Sequence, residues 1–326
     1  YMDSSSLENA GGRFHQSWMA SWIANPKSLN KHSDMPMLVN KKEAEAIAAY
    51  LATDVQKDLS TPLEGDHKQG GGLFYDLGCI SCHTSPKQKR ENGDRLSLAN
   101  VARKFKPAAL KEFLLAPEKN YKWTKMPNFN LSEKEALDLA AYLIRDSANK
   151  PVVKKASPKK TVELGKQLFS DKGCVSCHGG EAPTGIDALP FEDIVGKQKG
   201  CYLLKNPSSG YRVSTAEIKA INAALNSNPQ IVFAHSDNEF AERQLEELNC
   251  IACHSRDDKT SKWEGFSGEV KYLKTHHKDR GHLDQSRPQL TFVGEKIKEQ
   301  TLKGYLEGSL PYNSREWLLA RMPSFP

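Results

Sequence analysis

Three stretches of the chain share one pattern of polar and apolar positions. Ala44, Ile47, Ala48 and Leu51 follow Asn40 and Glu43. Ala136, Leu139, Ala140 and Leu143 follow Ser132 and Glu135. Ile218, Ile221, Asn222 and Leu225 follow Ser214 and Glu217. Apolar or small residues at i, i+3, i+4 and i+7 share one stripe of a helix. An Asn or Ser followed three residues later by Glu is a capping-box pattern, which fixes the helix start. A second pattern predicts a loop entering an amphipathic helix. Leu7, Ala10, Phe14, Met19, Trp22 and Ile23 share it with Leu290, Val293, Ile297, Leu302, Tyr305 and Leu306. Leu98, Val101, Phe105, Leu110, Phe113 and Leu114 follow nearly the same rule. The strand signal is weak throughout, so the chain reads as mainly α.

Between these patterns stands a repeated motif. Cys79-Ile80-Ser81-Cys82-His83 recurs as Cys174-Val175-Ser176-Cys177-His178 and as Cys250-Ile251-Ala252-Cys253-His254. C-x-x-C-H is the attachment site of a c-type haem. Two thiols three residues apart lie on one side of a helical turn and can form thioethers to both vinyl groups of one porphyrin. The adjacent His then sits under the iron as proximal ligand. Zinc also uses C-x-x-C pairs, but three copies, each ending in His inside a larger repeat, predict three covalent haem c groups. A helix precedes each motif, marked by Leu73-Phe74, Leu168-Phe169 and Gln244-Leu245.

The order within a module is helix, C-x-x-C-H, loop, helix, Met-Pro, capped helix. Residues 68–146 contain all of it, with Met126-Pro127 before the last helix. Residues 160–228 contain it without a Met; counting back from the capped helix, the vacant place falls at Ser208. Residues 236–326 contain it as far as Met322-Pro323-Ser324-Phe325, which parallels Met126-Pro127-Asn128-Phe129. Residues 1–55 form a C-terminal half, with Met35-Pro36 and a capped helix but no attachment motif. Ser147 to Lys160, with two Pro and five Lys, and the polar stretch Thr53 to Gly72 read as connectors.

A length of 326 residues suits several small modules, and 38% hydrophobic residues is low enough to fit much surface. Six of the seven Cys belong to the motifs, and Cys201 reads as a small buried hydrophobe. The net charge of +6 excludes the cofactors; two propionates per haem offset it. It therefore argues weakly for nucleic acid, and a Lys-rich surface better suits steering an acidic redox partner. No stretch approaches the roughly 20 apolar residues that span a bilayer. The chain opens on Tyr1 with no signal peptide and is expected to be a processed or truncated product. Haem of this type is attached on the exported side of the membrane, so a periplasmic or other extracytoplasmic location is expected.

The capped helix ends in Ala-Ala-Tyr-Leu twice, at Ala48 to Leu51 and Ala140 to Leu143. With the module order, this resembles class I cytochromes c; the tandem array resembles large bacterial multi-module c-type cytochromes. That resemblance implies a Met thioether as sixth iron ligand, often before Pro. By position, Met126 is then the ligand for the haem of His83 and Met322 for that of His254. Met35 has the same context without a local haem. Either it ligates a haem attached upstream of Tyr1, or another module recruits it. For the middle haem the alternatives are open iron, a His from outside its module, or Met35, with the His slightly preferred. The candidates are His276, His277 and His282, in the insertion of the third module, where a solvated basic loop is the default reading of each.

Saturated His/Met iron has no substrate position and suits electron transfer. The leading expectation is thus a relay between a redox protein donor and acceptor, possible subunits of a larger membrane-associated or multi-cytochrome complex. Two alternatives stand beside it. One is a haem enzyme resembling bacterial cytochrome c peroxidases, with the middle haem open. The other is an electron-entry or docking segment of a larger dehydrogenase.

Overall fold

The computed structural model describes residues 4–88, 95–122, 124–152, 156–178, 214–227, 236–263, 287–310 and 318–325. It is mainly α. The longer helices, in chain order, are α1 (Gln16–Ala24), α2 (Lys41–Leu51), α3 (His67–Asp76), α4 (Pro107–Leu115), α5 (Glu133–Asp146), α6 (Lys159–Asp171), α7 (Thr215–Asn226), α8 (Asp237–Glu247) and α9 (Glu299–Glu307). Two-residue strands β1 (His83–Thr84) and β2 (Leu96–Ser97) pair in parallel, with His83 opposite Leu96. Among the described residues, no helix is long and apolar enough to cross a membrane.

All three capping boxes form. Asn40 accepts the backbone N–H of Glu43 at 3.0 Å, and the Glu43 carboxylate accepts that of Asn40 at 2.9 Å. Ser132 and Glu135 exchange the same bonds at 3.3 and 2.8 Å. Ser214 and Glu217 do so at 3.2 and 2.7 Å. Each box satisfies two N–H groups that a helix start leaves orphaned.

The chain divides into two compact units. The first comprises residues 1–11, 15–55 and 153–242. Here α2 packs on both α1 and α6. The face it buries is Ala44, Ala46, Ile47, Ala48 and Ala49, mostly too small to hold a neighbouring helix away. At the crossing with α6, a Cβ on Gly165 would run into the Ala46 carbonyl. Tyr50 and Phe169 meet beside it, ring centroids 5.8 Å apart, and Lys172 pairs with Glu43 at 3.1 Å. On α1 and α2, Trp18, Ile23 and Ile47 are buried, and Trp22 and Leu51 are half-buried.

The second unit comprises residues 12–14, 56–152 and 243–326. Here α5 packs on α3 and α4. Gly70 of α3 lies under the Asp138 carbonyl so closely that a Cβ would collide with it. Phe74 and Tyr142 meet beside that crossing, centroids 5.8 Å apart. The core gathers Phe74, Leu77, Ile80, Leu110, Leu114, Leu139 and Leu143, together with Trp263 from the third repeat. Burying a side chain such as Phe74 or Leu139 contributes about 1.5–3 kcal/mol. The buried Asp138 carboxylate is satisfied by the Asp66 backbone N–H at 2.8 Å and by Lys134 at 2.6 Å.

Candidate haem site

The helix before each Cys-x-x-Cys-His motif ends on a left-handed residue: Gly78 (φ 84°), Gly173 (φ 73°) and Asn249 (φ 55°). This turn stops the helix and sends the first Cys back across it. Gly takes this conformation freely, and Asn is among the side chains that tolerate it best. The first and third motifs continue as 3-10 turns, Cys79–Ser81 and Cys250–Ala252. The middle motif continues as a short α turn, Val175–His178.

Two of the motif histidines bond a backbone carbonyl. His178 donates from Nδ1 to the Ser5 carbonyl at 3.0 Å. His254 donates from Nδ1 to the Pro288 carbonyl at 2.7 Å. At His83, which stands opposite Leu96 in the two short strands, Nδ1 is buried and makes no hydrogen bond. Ser5, Leu96 and Pro288 each stand two residues before the leucine that opens the loop-and-helix pattern: Leu7, Leu98 and Leu290. A carbonyl on Nδ1 fixes the ring and leaves Nε2 as the ligating nitrogen. Burial pushes His83 down to about 4, so its ring is neutral at ordinary pH, as a ligand must be. Burial also lowers His254, against the opposing pull of the Pro288 carbonyl, and Arg287 lowers it further.

In the second unit the first and third motifs lie side by side. The Asn249 amide donates to the Cys82 sulfur at 3.5 Å. Burial pushes Cys79 up to about 12 and Cys82 up to about 11, with the Cys253 thiol opposing ionisation of both. Arg287 stacks over the Trp263 ring, 3.4 Å from its centroid, next to this pair of motifs. Among the described residues, no three His, Cys, Asp or Glu side chains converge as a tetrahedral metal site requires. Two thiols and a carbonyl-oriented imidazole on one turn fit a covalently held haem.

Met126 packs against the core of the second unit. Its backbone N–H bonds the Thr124 hydroxyl at 3.3 Å. Met322 is 37% exposed. The two Met-Pro segments pair through Asn128 and Ser324 as an antiparallel bridge. Arg321 adds bonds to the Phe129 and Asn130 carbonyls at 3.0 Å and to Glu135 at 2.8 Å. In the first unit, the Met35 backbone N–H bonds the Ser33 hydroxyl at 3.2 Å, and its sulfur accepts the Trp22 indole N–H at 3.0 Å. His276, His277, His282, Cys201 and Ser208 lie outside the described residues.

The sequence patterns did not single out the carbonyls of Ser5, Leu96 and Pro288, nor Asn249, Trp263 and Arg287. For the carbonyls a signal exists, their constant offset from Leu7, Leu98 and Leu290. Asn249 could have been found as the polar substitute at the place of Gly78 and Gly173.

This geometry defines a haem-binding helical domain, and the family comparison agrees. Residues 68–145 match the family model Cytochrome c, so this stretch is a cytochrome c domain, which carries haem c and its iron. The chain is also similar to the Cbb3-type cytochrome c oxidase subunit CcoP of Helicobacter pylori (strain ATCC 700392 / 26695). It is 29% identical over 114 residues, 34% of this chain and 37% of that protein. The CcoP subunit of Helicobacter pylori (strain 52) is likewise 29% identical over 114 residues, 34% of this chain and 36% of that one. The chain thus spans little more than a third of the length of these curated relatives. No solved structure matches it.

Proposed function

We propose that the chain is a multihaem electron carrier holding three covalent haem c groups. In this reading Cys79 and Cys82, Cys174 and Cys177, and Cys250 and Cys253 form the thioethers. His83, His178 and His254 are the proximal ligands, Met126 completes the haem of His83, and Met322 that of His254. The module boundaries are 68–146, 160–228 and 236–326, with 1–55 as a further half. The observation that carries the reading is the backbone carbonyl bonded by His178 and His254, in each case two residues before the leucine of the loop-and-helix pattern, Leu7 and Leu290. It orients a ring for ligation at the two motifs outside the matched domain.

Haem iron supplies one-electron chemistry; the chain supplies attachment, spacing and a dry surrounding. Cys82 and Cys253 share one unit, which favours direct exchange between the haems attached there. The similarity to CcoP supports an oxidase complex as the partner class, and haem attachment supports an extracytoplasmic location. The test is a pyridine haemochrome assay on the fully matured chain, joined to EPR. Three haems per chain with low-spin signals are expected. Fewer than three would overturn the count, and a resting high-spin haem that binds peroxide would favour an enzyme instead.

A further inference from the structure

We propose that Met35 is the sixth ligand of the middle haem, the one held by Cys174, Cys177 and His178, so that one haem site is assembled from two distant stretches of chain. This rests on the multihaem reading above and extends it to a site whose own repeat offers no thioether, since no Met occurs between residues 127 and 321.

The first unit repeats the helix crossing of the cytochrome c domain, using residues 4–51 as the partner of residues 159–178. In the domain, Gly70 of α3 passes beneath the Asp138 carbonyl of α5; in the first unit, Gly165 of α6 passes beneath the Ala46 carbonyl of α2. In the domain, Phe74 meets Tyr142 at 5.8 Å and 49°; in the first unit, Phe169 meets Tyr50 at 5.8 Å and 55°. Gly165 and Phe169 stand as far before Cys174 as Gly70 and Phe74 stand before Cys79. Ala46 and Tyr50 are likewise spaced as Asp138 and Tyr142. The carbonyl that orients His178 is that of Ser5, from the same N-terminal stretch, 3.0 Å away. The Ser4 hydroxyl also reaches the Cys177 carbonyl. Proximal and core contacts of the middle motif therefore come from the N-terminal half-module.

The ligand loop matches too. Met35 follows Ser33 and Met126 follows Thr124, and in each the hydroxyl two residues back accepts the Met N–H, at 3.2 and 3.3 Å. Such a hydroxyl turn fixes the backbone that presents the side chain. Trp22 then holds the Met35 sulfur through its indole N–H at 3.0 Å. A thioether sulfur has two lone pairs, one for this donor and one for iron. Trp22 is a positioning residue. Its counterpart Phe113 in the domain has no donor, so Trp22 also withdraws density from sulfur and raises the potential of this haem relative to one without it.

The test uses the full haem-loaded chain with Met35→Ala, Met35→His and, in parallel, Met126→Ala. With three Met-ligated haems, Met35→Ala removes about a third of the Met–iron charge-transfer absorption and lowers one midpoint potential. Met35→His replaces the lost signal with a bis-His EPR signal, which also guards against a mere folding defect. In a chain lacking the middle haem through Cys174→Ser and Cys177→Ser, Met35→Ala changes no spectrum. Trp22→Phe keeps the absorption and lowers one potential. The proposal is overturned if both Met35 variants match the parent in absorption, EPR and titration while Met126→Ala loses its share. If Met126→Ala is also silent, the His/Met reading itself falls, and this inference with it.

Discussion

Asn128 and Ser324 exchange both backbone hydrogen bonds, at 3.0 and 2.8 Å, and each stands two residues after the methionine of its own repeat. Corresponding positions of the two Met-Pro sequences thus pair with each other. The two Met-Pro segments are tied together, and whatever disturbs one is felt at the other.

Arg321 reinforces that tie through Glu135, whose carboxylate also closes the capping box of α5. Burial raises the Glu135 pKa, but Arg321 and the Ser132 backbone outweigh it, and the group ends below its ordinary 4.5. A depressed carboxyl contributes stability that is present above its unfolded value and lost as pH falls through the folded one. Acid titration should therefore loosen the 318–325 segment as pH falls below the ordinary glutamate value. Arg321→Gln should flatten that dependence. Hydrogen exchange of the Ser324 amide against pH checks both outcomes, and an unchanged profile in the variant would rule out the ion pair as the cause.

Gly70 and Gly165 should respond alike to substitution. An added Cβ has no room beneath the carbonyls of Asp138 and Ala46, so the helices must part. Overpacking of this kind costs about 1–3 kcal/mol. Gly70→Ala should lower the unfolding temperature of the second unit, and Gly165→Ala that of the first. Calorimetry of the two variants checks this. If Gly165→Ala is neutral, α2 and α6 do not cross as described.

Asn249 holds a left-handed turn and bonds Cys82. Asn249→Gly should keep the turn and lose only the side-chain bond. Asn249→Val adds roughly 1–2 kcal/mol of backbone strain and should reduce haem attachment at Cys250 and Cys253. Mass spectrometry of haem peptides separates the two variants. Equal occupancy in both would show that the turn does not matter to attachment.

Ser132→Ala should cost about 1 kcal/mol through loss of the α5 cap. Chemical denaturation of the cytochrome c domain in the full chain measures it, with Ser132→Asn, which keeps a capping oxygen, as the comparison.

The helices and their starts were legible in the sequence because period and capping are local chemistry. Asn40, Ser132 and Ser214 each need only a Glu three residues on. The Cys-x-x-Cys-His spacing is local in the same sense. Partnership was not. The stripes of α2 and α5 are nearly interchangeable, and an apolar stripe states that a helix must be covered without stating by what. Residues 160–228 carry their own capped helix, α7, yet α6 packs on α2. The decisive discriminators, the Gly165–Ala46 crossing and the Ser5 carbonyl, are backbone features that hydropathy does not encode. Trp263, which joins the second unit's core from the third repeat, reads as any apolar residue until its neighbours are known.

The pairing of α2 with α6 sets a timetable. A chain that emerges N-terminus first delivers α2 about 120 residues before α6 is complete, a wait of roughly 6–24 s at ordinary synthesis rates. During that wait the whole matched domain, residues 68–145, emerges and can close on itself. The side of α2 that meets α6, with Ala46 and Tyr50, meanwhile stays wet, an adhesive strip on a nascent chain. The domain between the two halves thus serves as a spacer in time as well as in sequence.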